Sequence, residues 1–297
     1  MVAALGRKID DDALEMLDRD DISRIAYIKQ DHWIGYPAAT RIAQGLNDLI
    51  SHPTSSRMPS MAIVGRPNNG KTTLIRRFIS KHPSQNTENG IRTPIVLTYM
   101  PASSDEPKFW TSLLTQLMIT HRPAASARAL QNQAERVLRE MGVRVLIIDE
   151  FHHLASAPLR QQENVLAALK NLSSSLSLSL VLVGTQALLG ALRADDQLAT
   201  RLTPYVLERW EANQNYQKLL FNFEKQLPLR NPSNLASPDL ANEIYSRSMQ
   251  TIGGTKAVVN QAAIKAIESG GEVITPDIVR SIDVVTHHDF GKLMKKV

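Results

Sequence analysis

The sequence predicts an α/β domain built on a parallel sheet, followed by a smaller domain of helices alone. Three observations carry that prediction. A glycine-rich loop, Gly65 to Thr73, lies between an apolar run and a helical pattern. A β-branched run, Val143 to Ile148, ends in two acids, Asp149 and Glu150. From about Glu208 onward the strand-like runs stop and only helical periodicity remains.

At 297 residues the chain has room for one large domain or two smaller ones. Its 43% hydrophobic and 21% charged content is that of an ordinary globular protein. No apolar run approaches the ~20 residues of a membrane span, and the acidic, amphipathic start, Met1 to Arg19, predicts no secretion signal. The chain has no cysteine, which excludes disulfides, thiolate metal sites and a cysteine nucleophile, and fits a cytoplasmic location. The net charge of +5 permits nucleic-acid binding without requiring it.

Residues 1–30 read as a helical arm, with Leu14, Leu17, Ile22, Ile25 and Ile28 among many charges. It serves either packing or docking. The α/β domain is placed at residues 31–207. It opens on the aromatic turn His32 to Pro37, then a helix over Ala38 to Ile50. Trp33 and Tyr36, just upstream of the glycine-rich loop, either line an adenine pocket or anchor the core.

The loop reads Gly65-Arg66-Pro67-Asn68-Asn69-Gly70-Lys71-Thr72-Thr73, and Met61 to Val64 supply the strand before it. Gly65 and Gly70 are read as the positions of positive φ, which let backbone N–H groups close around phosphate oxygens. Lys71 is a compact charge that reaches the β- and γ-phosphates. The Thr72 hydroxyl is a hard ligand suited to Mg²⁺. This is the pattern of a nucleotide-binding site.

Lys81 to Gly90 reads as loop and Thr93 to Met100 as a second buried strand. Helices follow over Pro107 to Thr120 and Ala124 to Met141, the second ended by Gly142. The strand Val143 to Glu150 then delivers its carboxylates to the C-terminal edge of a parallel sheet, where such sheets bind ligands. Asp149 is read as the Mg²⁺ residue and Glu150 as the residue that polarises the attacking water. Gln161 to Asn171 is helical, and Leu180 to Gln186 is a further strand ending at Thr185, placed to report on the γ-phosphate. Arg193 and Arg201 follow. Arg201, just before a short strand Pro204 to Leu207, is the preferred candidate for an arginine acting on a neighbouring subunit's nucleotide.

The helical domain, residues 208–297, is read as Asn213–Gln226, Ser237–Gln250, Gly254–Ser269 and Thr275–Val285. Lys256 opens the third helix and is a candidate to fold over the nucleotide. Lys292, Lys295 and Lys296 form a basic tail.

Assembled, these residues resemble an AAA+ ATPase of the transposition-regulator kind, most of all the TniB family, relatives of TnsC and more distantly of the Mu phage B protein. The resemblance runs from about Trp33 to Ile274. It is carried by Trp33-Ile34-Gly35-Tyr36-Pro37-Ala38-Ala39, Arg57-Met58-Pro59, Gly65 to Thr72, Ile147-Ile148-Asp149-Glu150-Phe151-His152-His153-Leu154 and Leu227-Pro228-Leu229-Arg230-Asn231-Pro232-Ser233. The phosphate loop is shared by many ATPases; the acidic strand with Phe-His-His-Leu and the Leu-Pro-Leu-Arg segment are more specific. The resemblance implies a three-layer αβα core with a five-stranded parallel sheet and a small all-α lid. It implies ATP-dependent assembly on double-stranded DNA as a homo-oligomeric ring or helical filament, marking a target and recruiting or activating a transposase of the TniA or TnsB kind, with a TniQ-like adaptor. It implies a bacterial cytoplasmic protein that joins the nucleoid when DNA-bound. Lys71 and Thr72 then bind phosphate and Mg²⁺, Asp149 and Glu150 are the Mg²⁺ and water residues, Thr185 is the sensor and Arg201 the trans arginine. AAA+ lids often carry an arginine where this chain has Lys256.

For DNA, Lys108 and Thr111, with Arg160, are candidates for backbone contacts that read no bases. A helicase loader or replication initiator built on the same ATPase core is the alternative. A secretion ATPase is disfavoured because no membrane segment is visible, and a metabolic kinase because no acceptor site is.

Overall fold

The computed structural model describes residues 8–283 except 89, 123 and 124. The start Met1–Arg7, the basic tail Lys292, Lys295 and Lys296, and the end of the predicted last helix at Val285 lie outside the described residues. The chain divides into two compact units. One holds residues 37–208; the other joins the residues up to 36 to those from 209 on.

The first unit is built on a five-stranded parallel sheet. Its strands are β1 (Ser60–Gly65), β4 (Ile95–Tyr99), β5 (Val145–Asp149), β6 (Ser179–Gly184) and β7 (Leu202–Leu207), in the spatial order β4-β5-β6-β1-β7. The three central strands β1, β5 and β6 are buried along their whole length. That is why their sequences are nearly unbroken apolar runs: a parallel sheet covered on both faces has no polar side to alternate with. Helices α3 (Pro37–Ser51) and α4 (Lys71–Ser80) pack on β1. On the opposite face lie α5 (Glu106–Gln116), α6 (Ala127–Glu140) and α7 (Leu159–Leu176). There Phe109, Trp110, Leu138 and Leu169 pack with Leu146, Ile148, Leu180 and Leu182 in one core. The result is three layers around one sheet.

Local chemistry sets the helix starts. Asp105 caps α5 through Lys108 N, with Pro107 in the first turn, and Ser126 caps α6 through Ala129 N. Positive φ at Gly142 ends the α6 segment as expected. The Lys81–Gly90 segment, expected to be loop, carries a small exposed hairpin of β2 (Gln85–Thr87) and β3 (Gly90–Arg92). Its strands of three residues are too short and too polar to show an alternating pattern. A 3-10 helix over Phe151–Ser156 and the short α8 (Ala187–Leu192) and α9 (Asp196–Ala199) also lie between the expected elements.

The second unit is helical. It contains α1 (Asp11–Met16), α2 (Asp21–Lys29), α10 (Gln214–Lys225), α11 (Pro238–Arg247), α12 (Ile252–Glu268) and α13 (Pro276–Ser281). The described part of the segment read as an N-terminal arm is folded into this unit: Ala13, Tyr27 and Ile28 are buried, and α2 packs on α12. Asn260 Nδ2 donates to the Ile28 carbonyl at 2.8 Å. Residues 31–36, expected in the α/β domain, also belong to the helical unit. The side chains of Asn222 and Gln226 on α10 donate to the carbonyls of Gly35 and Trp33, at 3.1 and 2.7 Å.

Candidate nucleotide site

Strand β1 runs into the phosphate loop, which hands over to α4 at Gly70. Positive φ falls at Asn68 (61°) and Gly70 (78°). It does not fall at Gly65, as the sequence reading expected. Gly65 is required for space instead: a Cβ there would sit 3.0 Å from Leu207 Cβ and 3.3 Å from its carbonyl oxygen. The two left-handed residues give the curl that turns successive N–H groups into a concave anion-binding surface, at the positive end of α4.

Asn69, placed only generically by the sequence motif, has a definite task. It is buried, and its Nδ2 donates to the carbonyls of Leu207 and Glu208 at 2.8 and 3.0 Å. The loop is therefore tied to the C-terminal end of β7, two residues before the helical unit begins.

Lys71 is buried at the first position of α4, and its Nζ donates to the carbonyls of Gly65 and Arg66, both at 2.8 Å. Burial pulls its pKa below the usual lysine value, against the opposing charges of Glu150 and Asp149. Thr72 Oγ1 donates to Asp149 Oδ2 at 2.7 Å, and the other oxygen of Asp149 accepts the N–H of Glu150 at 2.8 Å. Asp149 is 1% exposed. A buried carboxylate beside a hydroxyl is a hard-oxygen pair suited to Mg²⁺, and with the curled loop and the Lys71 ammonium the set fits a nucleotide phosphate chain with its cation.

Glu150 follows in the left-handed conformation (φ 54°, ψ 28°) and caps the 3-10 helix. Its side chain is 44% exposed, and its Oε2 lies 3.2 Å from His152 Nδ1. The approach is not aligned as a hydrogen bond, and His152 Nδ1 is otherwise buried without a partner. Burial pushes the His152 imidazole below its usual pKa, although Glu150 pulls the other way. His153 Nδ1 lies 3.1 Å from the Met100 carbonyl. Donor atoms of Glu150, His152 and His153 come within 4.8 Å of one another, a set that also has the composition of a metal site. The sequence held this feature in the spacing Asp-Glu-x-His-His, but periodicity does not show that the segment folds back on its own carboxylate.

Thr185 is half-buried and follows Gly184, which pairs with Val64 of β1. It therefore stands level with the start of the phosphate loop. Arg201 is at the other edge. It precedes β7, whose Leu202 pairs with Ser60 at the start of β1, while the phosphate loop follows the end of β1. Its guanidinium donates to Ser174 Oγ at 3.2 Å. Arg201 thus lies across the length of the sheet from the phosphate loop of the same chain. Arg193 is exposed.

Lys108 and Thr111 share one face at the start of α5; Lys108 pairs with Asp105 at 3.0 Å and is 55% exposed. Arg160 is exposed in the first turn of α7. Trp33, Tyr36 and Lys256 belong to the helical unit. Tyr36 is buried with its ring edge on Trp210, 5.5 Å between centroids, and burial pushes its phenol up to about 12. Lys256 Nζ pairs with Asp31 at 2.7 Å. Among the described residues no helix is long and apolar enough to cross a membrane.

Solved structures share this architecture. Over 89% of this chain and 73% of the other, it is similar to the Aeropyrum pernix ORC2 protein in its ADPNP–ADP complexes, with a TM-score of 0.63 at 16% identity. The Thermotoga maritima RuvB Holliday junction branch migration motor matches with a TM-score of 0.51 at 17% identity, over 86% of this chain and 71% of that one. The A. pernix ORC1 protein in complex with DNA matches with a TM-score of 0.57 at 14% identity, over 86% and 68%. No curated protein matches. A five-stranded parallel sheet in the order described, a phosphate loop after the interior strand β1 and a helical C-terminal region define an AAA+ P-loop ATPase fold. The family described as bacterial TniB protein matches residues 24–212, and the chain belongs to the TniB family.

Proposed function

We propose that this protein is an ATP-dependent regulator of DNA transposition. In this reading it assembles on double-stranded DNA as a ring or helical filament, marks the target and recruits or activates a transposase, with a TniQ-like adaptor as a further partner. The observation that supports this most is TniB family membership over the segment that contains the whole phosphate site.

The residues divide the work as follows. The phosphate loop, Gly65 to Thr73, wraps the phosphates through its backbone. Lys71 exchanges its two carbonyl partners for β- and γ-phosphate oxygens. Thr72 and Asp149 hold Mg²⁺, which when bound neutralises charge between those phosphates. Glu150 orients and polarises the attacking water, and Thr185 senses the γ-phosphate from the adjacent strand end. Arg201 serves the site of the neighbouring subunit, because its own lies across the sheet. Trp33, Tyr36 and Lys256 are further candidates for nucleotide contact. Lys108, Thr111 and Arg160 touch the DNA backbone. ATP binding drives assembly and hydrolysis drives disassembly. The protein acts in the bacterial cytoplasm and on the nucleoid.

The test is negative-stain imaging with duplex DNA, with and without a non-hydrolysable ATP analogue. Rings or filaments that need both are expected; a protein that stays solitary when saturated with both sinks the proposal. The likeness to ORC proteins favours a second reading, a replication initiator or helicase loader. That reading predicts capture of a replicative helicase and no stimulation of a transposase.

A further inference from the structure

The geometry points to His152 as a positioning residue for Glu150, holding the carboxylate at the C-terminal edge of the sheet for its work on the attacking water. The inference rests on the ATPase reading above and adds a residue to it.

Two observations carry it. The first is the pair itself. His152 Nδ1 is buried, makes no aligned hydrogen bond and stands 3.2 Å from Glu150 Oε2. A buried ring nitrogen without a partner is costly. A small rotation of the more exposed carboxylate satisfies it, with the Nδ1–H donating. Glu150 is then held in one orientation by a group that is not itself consumed in the reaction.

The second is how firmly His152 is placed. The 3-10 helix that carries it is clamped at two strand ends. At β6, Gly184 leaves room for the His152 backbone: a Cβ on Gly184 would lie 3.1 Å from His152 N and 3.3 Å from its Cβ. At β4, the adjacent His153 bonds to the carbonyl of Met100, whose own N–H donates to the Asp149 carbonyl at 2.9 Å. His152 thus packs against the end of β6, and its neighbour His153 is held at the end of β4, whereas Glu150 sits in a left-handed turn with an exposed side chain that nothing else described restrains. A fixed donor beside an exposed carboxylate is the arrangement that pre-orients a catalytic group.

Three proteins test this: wild type, His152→Ala and His152→Asn. The Asn amide nitrogen takes a place close to that of Nδ1. His152→Ala is expected to lower kcat for ATP hydrolysis up to about a hundredfold, the effect of a misplaced catalytic group. Its affinity for a non-hydrolysable ATP analogue should stay within about twofold of wild type, and His152→Asn should recover most of the rate. A kcat for His152→Ala equal to or above wild type overturns the role, as does a parallel loss of nucleotide affinity. A readout free of turnover uses ¹⁵N-histidine labelling: the Nδ1 resonance of His152 should move in Glu150→Gln, and an unmoved resonance overturns the pairing. If wild type itself shows no ATP turnover under any condition, the ATPase reading fails, which is distinct from wild-type turnover that His152→Ala leaves intact.

Discussion

Thr72 Oγ1 and Asp149 Oδ2 are 2.7 Å apart although 77 positions separate them in the chain. The contact joins the first turn of α4 to the end of β5 and brings two hard oxygen atoms together in a site where Asp149 is otherwise sealed from solvent. Thr72→Val keeps the shape and removes the hydroxyl. Nucleotide affinity of wild type should fall when EDTA removes Mg²⁺, and that of Thr72→Val should be low with or without the cation. Titration of a fluorescent ATP analogue decides it; equal Mg²⁺ dependence in both proteins removes Thr72 from the metal.

Glu150→Gln leaves the size of the side chain unchanged and removes its basicity. Nucleotide should still bind, because the loop and Lys71 are untouched. Hydrolysis should fall by about 10²–10⁴, the range for a general base, and assemblies on duplex DNA should last correspondingly longer. A phosphate-release assay paired with dissociation kinetics checks both halves. Turnover at the normal rate takes the role away from Glu150.

Much of the site was legible because its signals are local. The phosphate loop is a contiguous motif, and Asp149 and Glu150 end a run whose apolar character reports burial on two faces. The succession of the five sheet strands and the longer helices followed from period. What periodicity does not hold is the return of one side chain onto a distant backbone. Asn69 reads as a variable position of the motif, yet it is the residue that ties the loop to Leu207 and Glu208. Gly65 reads as a residue of positive φ, yet what it accommodates is the close approach of β7. Residues 31–36 precede the first strand in sequence yet are held by the α10 segment 187 and 193 positions later, where Asn222 and Gln226 donate to the carbonyls of Gly35 and Trp33. The hairpin of β2 and β3 is too short to carry a pattern.

Asn69→Ala removes both hydrogen bonds at the end of β7 and leaves the carbonyls of Leu207 and Glu208 without that donor. The expected cost is about 1–3 kcal/mol of stability for a buried acceptor deprived of its partner. The loop also loses its tether, so affinity for ATP should fall with the stability. Thermal melts with and without nucleotide check this. A variant that melts like wild type and binds ATP as tightly shows that the tether does not matter.

Arg201→Ala should leave nucleotide binding by the isolated subunit unchanged, because Arg201 stands across the sheet from its own phosphate loop. Hydrolysis in the assembled state should drop by about 10³ or more, the effect of losing a trans arginine. Rates measured across a protein concentration series separate the two states. A loss of the same size in dilute subunits places Arg201 elsewhere, most simply in packing through Ser174.

In the helical unit, Arg24 and Glu272 form a two-bonded ion pair at 2.6 and 2.8 Å, with side chains 0% and 8% exposed. Burial alone would raise the Glu272 carboxyl. The hydrogen bonds from Arg24, the N–H of Arg230 and the charges of both arginines outweigh it and hold the group below the usual carboxylate range. Glu272 in turn raises the Arg24 pKa further above its ordinary value. Removing Arg24 takes two hydrogen bonds and a charge from a buried carboxylate that then keeps only Arg230, so Arg24→Ala should destabilise the protein by about 3–5 kcal/mol. The pH dependence has a definite sign. A depressed folded pKa means that the unfolded chain takes up the proton first, so this stabilisation is complete above the unfolded value of about 4.3 and is lost as pH falls through the folded value. Denaturant titrations of wild type and Glu272→Gln from pH 7 to pH 3 should therefore show a stability gap that narrows below about pH 4. A gap that stays constant over that range would mean that the pair contributes nothing through its charge.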